Sequence, residues 1–312
     1  MLSRRNVRVK VMQVLYTQSR DETLDRESTI REYWKKIEES FNLLLFSLYV
    51  LIEVTRTAME DQDKRKSKHL PTELDKKFTP KLWTNSMIQA LATNKLLNRK
   101  FEKLEFAGIV DKDHFRNIYY EFLKEEPYQQ FILNETSHDE NLEMLLELFR
   151  FCRKSELFNE IIEDHFANWE DDKSIIIGTI KKVLKEVPND RPDYINEHYP
   201  ARDTTEEYGE FLLKRTLDED NLLLGHIEPV LQNWDAERVA VLDMIMLKMA
   251  LCEFMYCPTI PTKVTLNEYV ELAKTYSTSK SKEFINGILD RLLQELISKG
   301  KVVKEGRGLI DE

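Results

Sequence analysis

Apolar residues recur along this chain with the spacing of helices and rarely alternate as they do in strands. In residues 3–19, Val7, Val11, Val14 and Leu15 stand at i, i+4, i+7 and i+8. Positions with that spacing share one face of a helix and are typical of a helix that packs on a core. We therefore predict that the first helix of the fold is amphipathic.

A second helical pattern runs from Ser28 to about Asp63 and has an unusually broad apolar face. Its apolar positions are Phe41, Leu44, Leu45, Leu48, Leu51 and Ile52. A helix that is apolar over so wide an arc is typical of the interior of a fold. We predict a central position for it.

The rest of the chain continues in the same way. Periodicity predicts further helices near 81–100, 112–124, 137–152, 155–167, 172–186, 204–219, 220–233, 236–257, 262–276 and 280–298. Glycine and proline number only 8 and 9 in 312 residues, and the proline-containing segments 61–83 and 185–203 predict a loop and a linker. The predicted fold class is all-α.

The last predicted helix carries two local signals. Ser279 or Ser281 is expected to provide the N-cap hydroxyl. Gly287 lies inside the helix, where glycine costs about 1 kcal/mol relative to alanine. A close approach of another helix at Gly287 is the expected reason for that cost.

The net charge of −10 argues against nucleic-acid binding by the chain as a whole, but the charge is unevenly distributed. Residues 1–20 contain five Lys or Arg and no acidic residue, whereas residues 135–173 contain twelve Asp or Glu against four Lys or Arg. On the first helix, Arg5, Arg8 and Tyr16 fall within one narrow arc. Such an edge is suited to a phosphate backbone and a stacked base, although judged alone a solvated basic face with Tyr16 packed at the core margin is the more ordinary explanation.

A second basic cluster lies in the predicted loop 61–83 and comprises Lys64, Arg65, Lys66 and Lys68. These side chains are either RNA contacts or, more simply, the charged surface of a solvated loop. The start of the last helix combines Lys280 and Lys282 with Phe284, where an aromatic ring beside two ammonium groups offers a platform for a phosphate and an unstacked base. Phe284 is also explained as a core residue.

Other function classes lack their signatures. The three cysteines form no CxxC pair and the six histidines are scattered, so neither a disulfide framework, nor a zinc site, nor another cofactor is expected. No glycine-rich turn for a nucleotide is present, and no enzymatic activity or small-molecule substrate is expected. The most apolar run, Phe41 to Ile52, is too short to span a bilayer, and the expected compartment is the cytoplasm, without membrane binding.

Both ends of the chain resemble one protein family. The first helix is rich in arginine and ends in Leu15-Tyr16. The C-terminal block contains, in order, Pro261, Asn267-Glu268, Glu271-Leu272-Ala273-Lys274, Tyr276 and Phe284-Ile285-Asn286-Gly287-Ile288-Leu289-Asp290. Both blocks are similar to the bacterial NusB transcription antitermination family, and the resemblance covers residues 1–20 and about 205–298.

The resemblance implies an antiparallel helical bundle interrupted by a large helical insertion. Its domain limits would be 1–20 for the first NusB-like helix, 21–203 for the insertion, 204–298 for the C-terminal NusB-like domain and 299–312 for a flexible tail. Nothing in the family pattern assigns a role to the insertion.

The resemblance also implies a non-enzymatic factor that acts on bacterial ribosomal RNA operons. Its partners would be boxA-containing RNA, the small-subunit ribosomal protein NusE and the RNA polymerase elongation complex. Carried over by position, the RNA contacts would be Arg4, Arg5, Arg8, Gln13, Tyr16, Lys280, Ser281 and Phe284. The ribosomal-protein contacts would be Glu237 and Asp243, two acidic positions expected to face outward.

Two residues depart from the family pattern. Asn6 interrupts the arginine run, and Lys280 stands where members commonly carry an acidic residue. A positive charge beside a phosphate should strengthen RNA binding, so Lys280→Asp is expected to weaken it. The main alternative is a helical protein-binding adaptor that uses the same fold without binding RNA sequence-specifically.

Overall fold

The computed structural model of the chain describes residues 1–21, 23–231 and 239–309. It is 78% helical and has no strand among those residues, which confirms the all-α fold class. The chain forms two compact units. We call Glu38–Tyr199 the inserted unit, to which Met1 also belongs, and Leu2–Ile37 with Pro200–Glu312 the terminal unit. The domain limits predicted from the sequence stay predictions.

The inserted unit is built around the second part of α2 (Arg26–Lys66), whose first part belongs to the terminal unit. Its other helices are α3 (Glu73–Lys77), α4 (Lys81–Thr84), α5 (Ser86–Ala92), α6 (Lys95–Lys103), α7 (Phe106–Ile109), α8 (Lys112–Phe122), α9 (Glu126–Leu133), α10 (His138–Cys152), α11 (Glu156–His165) and α12 (Trp169–Glu186). The apolar positions predicted for α2 are buried in this core, as expected for a central helix.

Two predictions for the start of this unit are wrong in detail. The segment 81–100 is not one helix, because Asn85 and Asn94 each turn a side-chain oxygen to the backbone N–H three residues ahead, at 3.0 and 2.9 Å, and begin a new helix. The segment 61–83 is not a continuous loop. Helix α2 continues to Lys66, and α3 and α4 follow directly after Thr72 and Pro80.

The proline-containing segment 185–203, predicted as a linker, is partly packed. Residues Tyr194–His198 form a short 3-10 helix. Tyr194 and Ile195 are almost fully buried in the core of the inserted unit. Apolar side chains in a proline-rich segment thus anchor it, and proline alone is a poor guide to exposure.

The terminal unit contains α1 (Arg4–Arg20), the start of α2, and the C-terminal third of the chain. Its C-terminal elements are α13 (Arg202–Thr204), a π-helical turn (Thr205–Glu210), α14 (Phe211–Asp218), α15 (Asp220–Ile227), a 3-10 turn (Glu228–Leu231), α16 (Val241–Tyr256), α17 (Thr262–Tyr276), α18 (Ser281–Ser298) and a final 3-10 turn (Gly306–Leu309). Helix α16 is apolar on most of its circumference and contacts α1, α14, α15, α17 and α18. It is the centre of this unit.

The predicted core face of α1 is confirmed, since Val7, Val11, Val14 and Leu15 are all buried. The explanation offered for Gly287 is wrong. A Cβ atom added there would meet nothing within 4 Å in the described part of the chain, so no helix of that part approaches it closely. The glycine lies on the exposed face of α18.

The sequence predicts a flexible tail from residue 299, and the structure adds a specific contact within it. Lys304 is 8% exposed and its ammonium group donates to the carbonyl oxygens of Glu253 and Cys257, at 3.1 and 3.0 Å. A cation at this position satisfies carbonyls at the C-terminal end of α16 and interacts favourably with the helix dipole.

Candidate nucleic-acid interface

Helix α1 begins with a capping box. The Ser3 hydroxyl accepts from the Asn6 backbone N–H at 3.4 Å, while the Asn6 side chain accepts from the backbone N–H and the hydroxyl of Ser3. Asn6, which interrupts the arginine run in the sequence, therefore fixes the first turn of the helix. Arg4 and Arg5 lie in that turn and are exposed.

Arg8 is placed differently, because it is buried. Its guanidinium donates to both carboxylate oxygens of Glu253 on α16, from Nε at 2.7 Å and from Nη2 at 2.8 Å. The Arg8 side chain is 3% exposed and the Glu253 side chain is fully buried. Tyr208 and Tyr269 also donate to Glu253, at 2.6 and 2.7 Å. Arg8 thus anchors α1 to α16 and is not presented at the surface.

The protonation of this cluster follows from its contacts. Burial alone would raise the pKa of Glu253, but the charge of Arg8 and the donated hydrogen bonds outweigh burial and lower it. For Arg8, burial opposes the charged form, and Glu253 raises the pKa of the guanidinium above its ordinary value. The pair is therefore ionised, and the buried charges compensate each other.

Arg5 is bound at the surface by Glu268 of α17. Its Nε and Nη2 atoms donate to the two carboxylate oxygens at 2.8 and 2.6 Å. The Arg5 side chain is nevertheless 60% exposed, and the hydrogen bond and charge of Glu268 raise its pKa. A phosphate reaching this guanidinium would compete with Glu268 for it.

Arg4 and Arg5 flank a groove of about 620 Å³ between the start of α1 and the start of α17. Its other lining residues are Ser3, Arg8, Thr259, Ile260, Pro261, Val264 and Glu268. The Arg4 guanidinium lies 5.4 Å from the centroid of the Tyr208 ring. Among the described residues it forms no ion pair, so its charge is available to an anionic ligand.

Further along α1, Gln13 is half-buried and Tyr16 is 40% exposed. The Tyr16 ring is therefore accessible for stacking on a base. Three residues separate Tyr16 from Arg20, the last residue of α1, which is also exposed. The exposed edge of α1 thus carries cations at both ends and an aromatic ring between them.

The start of α18 departs from the expected capping. Lys280 occupies the N-cap position, is exposed, and makes no side-chain cap. Ser281 does not cap the helix because it is already the first helical residue; its hydroxyl donates to Asp243 of α16 at 2.7 Å, and the residue is 2% exposed. Phe284 is half-buried. Of the candidate RNA contacts in this turn, Lys280 is exposed and Phe284 is partly exposed.

The prediction that Asp243 faces outward is wrong. Asp243 is 5% exposed and accepts hydrogen bonds from the hydroxyls of Ser277 and Ser281, at 2.6 and 2.7 Å. Its carboxylate ties the start of α16 to the turn before α18 because the two serine hydroxyls converge on it. The second acidic candidate, Glu237, lies outside the described residues.

Helix α16 links the two groups of candidate RNA contacts. Arg8 bonds near its C-terminal end at Glu253, and Ser281 bonds near its N-terminal end at Asp243. Ten residues of helix between them correspond to about 15 Å. Helix α16 therefore fixes the position of the start of α1 relative to the turn before α18.

Sequence reasoning missed the acidic partners of the arginines. Glu253 follows a run of apolar residues in α16, and a carboxylate at such a position is a signal for a buried partner of opposite charge. The described part of the chain contains no group of three or more His, Cys, Asp or Glu placed to hold a metal ion. In that same part, no helix is long and apolar enough to cross a membrane.

Comparison with known proteins connects the C-terminal part of the chain to one family. The model of the NusB family matches residues 178–294. Three relatives bear the name transcription antitermination protein NusB. The protein of Chloroherpeton thalassium is 45% identical over 86 residues, that of Salinibacter ruber 37% over 111, and that of Natranaerobius thermophilus 38% over 90. No solved structure matches the chain.

The similarity is confined to part of each protein. The alignments cover 28%, 34% and 29% of this chain, in the order given above. They cover 41%, 67% and 65% of the relatives. The family model begins at residue 178 and therefore does not extend over most of the inserted unit.

Proposed function

Because this chain belongs to the NusB family, we propose that it is an RNA-binding transcription antitermination factor. It binds boxA-type RNA of ribosomal operons together with the small-subunit ribosomal protein NusE and modifies elongation by RNA polymerase. The proposed RNA surface comprises the exposed edge of α1 and the turn before α18.

The observation that carries the proposal is the groove at the start of α1. Arg4 has no carboxylate partner among the described residues, and Arg5 is 60% exposed although it is paired with Glu268. Guanidinium groups bind phosphate with two parallel hydrogen bonds, and the first turn of α1 adds the positive end of a helix dipole. A phosphate backbone in this groove would contact the guanidinium groups of Arg4 and Arg5 and the positive end of the α1 dipole.

Tyr16 and Lys280 extend this surface. The Tyr16 ring is 40% exposed and offers a face for base stacking, and the exposed ammonium group of Lys280 offers a phosphate contact. Gln13 and Phe284 are half-buried and can present only part of their side chains. They are assigned to the edge of the contact.

Arg8 and Ser281 act as positioning residues in this proposal. Each is almost fully buried and donates to an internal carboxylate, Glu253 or Asp243. Their substitution should change RNA affinity through the placement of α1 and of the turn before α18. Because Asp243 is internal, the proposed acidic contact with the basic ribosomal protein is assigned to Glu237 alone.

The direct test is fluorescence anisotropy with a labelled boxA-type RNA and a scrambled RNA of equal length. The full chain is titrated into each at two salt concentrations, with and without its ribosomal partner protein. Selective binding of boxA RNA that tightens with the partner is the expected result. Equal binding of both RNAs, or binding of neither, would contradict the proposal.

Lys280→Asp localises the site. The variant should weaken boxA binding and flatten its salt dependence, because a phosphate contact is replaced by repulsion. Lys214→Asp makes the same charge change on α14, where the lysine is paired with Glu210, and serves as the control. If the two variants bind equally well, Lys280 is not part of the site.

In the alternative function, the protein is a helical protein-binding adaptor that has the same fold but does not bind RNA sequence-specifically. It is favoured by the internal use of Arg8 and Ser281, two of the residues carried over as RNA contacts. It predicts that the double substitution Arg4→Glu and Arg5→Glu leaves every RNA affinity unchanged while partner binding persists. The RNA proposal predicts that these substitutions weaken RNA binding and reduce its salt dependence.

A further inference from the structure

The inserted unit has a basic part as well as an acidic one. Residues 61–103 contain eleven Lys or Arg against five Asp or Glu, the reverse of the balance in residues 135–173. Two of those five carboxylates are neutralised internally, since Asp61 and Asp75 are buried and paired with Arg65. Asp75 also pairs with Lys68, so this buried cluster holds two cations and two carboxylates, and the other nine cations of this part exceed its other three carboxylates by six.

Much of that charge lies on helix α6, where Lys95, Arg99 and Lys103 follow one another at intervals of four residues and Lys100 lies beside them. At 100° per residue, the four cations cover a continuous arc of about 140°. Lys95, Arg99 and Lys103 are exposed. Within the described chain none of the four has a carboxylate within ion-pair distance, whereas ion pairs are common elsewhere in this unit.

The basic stripe borders a groove of about 450 Å³. Its lining residues are Glu38, Phe41, Asn42, Leu45, Lys100, Lys103, Leu104, Asn196 and Tyr199. The Tyr199 ring packs edge-on against Phe41, with ring centroids 5.2 Å apart and an interplanar angle of 72°. Tyr199 is held in position by this contact and is still 39% exposed.

The polar groups of the groove are uncommitted. The side chains of Asn42, Asn196 and Lys103 have no hydrogen-bond partner among the described residues. The Lys100 ammonium lies 5.4 Å from the centroid of the Phe41 ring, which holds the charge at the groove. Burial, and to a smaller extent Glu38, raise the pKa of Tyr199, so its hydroxyl stays protonated as a donor.

We propose that this groove and the α6 stripe bind a single-stranded RNA segment outside the boxA-type element. The exposed face of Tyr199 stacks on a base, and the amides of Asn42 and Asn196 bond to base edges. Lys100 and Lys103 contact phosphates next to that base, and Lys95 and Arg99 continue the path of the backbone. An aromatic platform beside unpaired cations is the usual composition of a single-strand site.

RNA is favoured over an acidic peptide by the aromatic ring that lies beside the cations. An acidic peptide would use the cations and could bond to the two amides through its backbone, but its acidic residues carry no flat ring for the exposed face of Tyr199, whereas every nucleotide carries both a phosphate and a base. The inference extends the proposed RNA-binding function in that it takes RNA as the ligand of the chain. It is separable from that function because the residues involved belong to the inserted unit.

The test compares a boxA-type RNA alone with the same RNA carrying an unstructured oligouridine extension at either end, by anisotropy on the full chain. The extended RNA should bind more tightly. The double variant Lys100→Glu and Lys103→Glu should lose that gain and lower the salt slope by about 1.4, at about 0.7 for each lost phosphate contact in a single strand. Tyr199→Ala should weaken the extended RNA by about 5- to 150-fold.

The control is the double variant Lys181→Glu and Lys182→Glu, which makes the same charge change at exposed positions of α12. Thermal melting checks that each variant is folded. Equal affinities for the short and extended RNAs, or equal loss in the Lys100 and Lys181 double variants, would overturn the inference. Loss of ribosomal-protein binding with unchanged RNA affinity would likewise overturn it and assign the groove to a protein.

The outcomes also distinguish this inference from the proposed function. If boxA and scrambled RNAs bind equally but the oligouridine gain depends on Lys100 and Lys103, the proposed function fails and the inference stands. If boxA is selected and the extension adds nothing, the proposed function stands and the inference fails.

Discussion

Replacing Arg8 by methionine tests the buried ion pair that joins α1 to α16. Methionine keeps most of the length of the arginine side chain and removes its charge and its donors. Glu253 would then remain at a fully buried position with hydrogen bonds from Tyr208 and Tyr269 but without a cation. The variant should therefore unfold much more readily.

The magnitude follows from the geometry. Arg8 contributes two hydrogen bonds of 2.7 and 2.8 Å to a carboxylate that solvent does not reach. Removing one partner of such a pair costs about 3–5 kcal/mol, because the other charge is left buried. Arg4→Met is the matched control, since this neighbouring arginine is exposed and a surface substitution changes stability by about 0.5 kcal/mol or less.

The pH dependence gives an independent check. In the wild type the pKa of Glu253 is lowered, so its contribution is present above the unfolded-state value and is lost as the pH falls. Without Arg8, no cation offsets the burial that opposes the charged form of Glu253, so the variant should be penalised most at the pH values where this carboxyl would be ionised. The difference between variant and wild type should therefore be largest near neutral pH and shrink towards pH 4.

The assay is urea unfolding followed by circular dichroism, with hydrogen exchange by mass spectrometry to localise the effect. Because the chain has two compact units, exchange in peptides from α1 and α16 reports the affected unit directly. If Arg8→Met is no less stable than Arg4→Met, or if its deficit does not depend on pH, the account of this cluster is wrong.

Three further substitutions probe the terminal unit. Gly209→Ala should destabilise it by about 1–3 kcal/mol, because the added Cβ would lie 2.1 Å from the hydroxyl oxygen of the buried Tyr33; urea unfolding measures the loss. Gly287→Ala should stabilise it by up to about 1 kcal/mol in the same assay, since the site is open. Glu268→Gln should tighten RNA binding and steepen its salt dependence, measured by anisotropy, because it releases Arg5.

Each of these has an outcome that would refute its reasoning. Gly209→Ala with wild-type stability would mean that Tyr33 and the π-helical turn can move apart at little cost. A destabilised Gly287→Ala would mean that α18 has a neighbour at that face. For Glu268→Gln the control is Glu271→Gln, which also removes a negative charge from α17, and equal RNA affinities of the two variants would show that only net charge matters.

The sequence predicts which apolar positions of a helix are buried, but it does not predict which residues the charged side chains contact. Periodicity predicted the core face of α1 because a helix repeats its contacts at fixed intervals. It did not predict that Arg8 is buried, since an arginine beside an apolar stripe is as compatible with solvent as with a distant carboxylate. Glu253 is 245 residues away in sequence, and only the fold brings the two together.

Local hydrogen bonds account for the other differences. Asn85 and Asn94 divide a segment that is periodic enough for one helix, because an asparagine side chain competes for backbone N–H groups. The sequence position of Ser281 is compatible with an N-cap, but the helix begins at Ser281 itself, and its hydroxyl donates to the buried Asp243. In each case the start of the helix depends on the hydrogen-bond partners of nearby polar side chains. The spacing of residues along the sequence does not contain that information.

The most direct test of the central claim is to map where boxA-type RNA contacts the full chain. A short boxA RNA containing 4-thiouridine is cross-linked to the protein by light, and the modified peptides are identified by mass spectrometry. The account predicts cross-links in residues 4–20 and 277–291 that a scrambled RNA does not produce. Cross-links confined to other peptides, or equally abundant with the scrambled RNA, would contradict it.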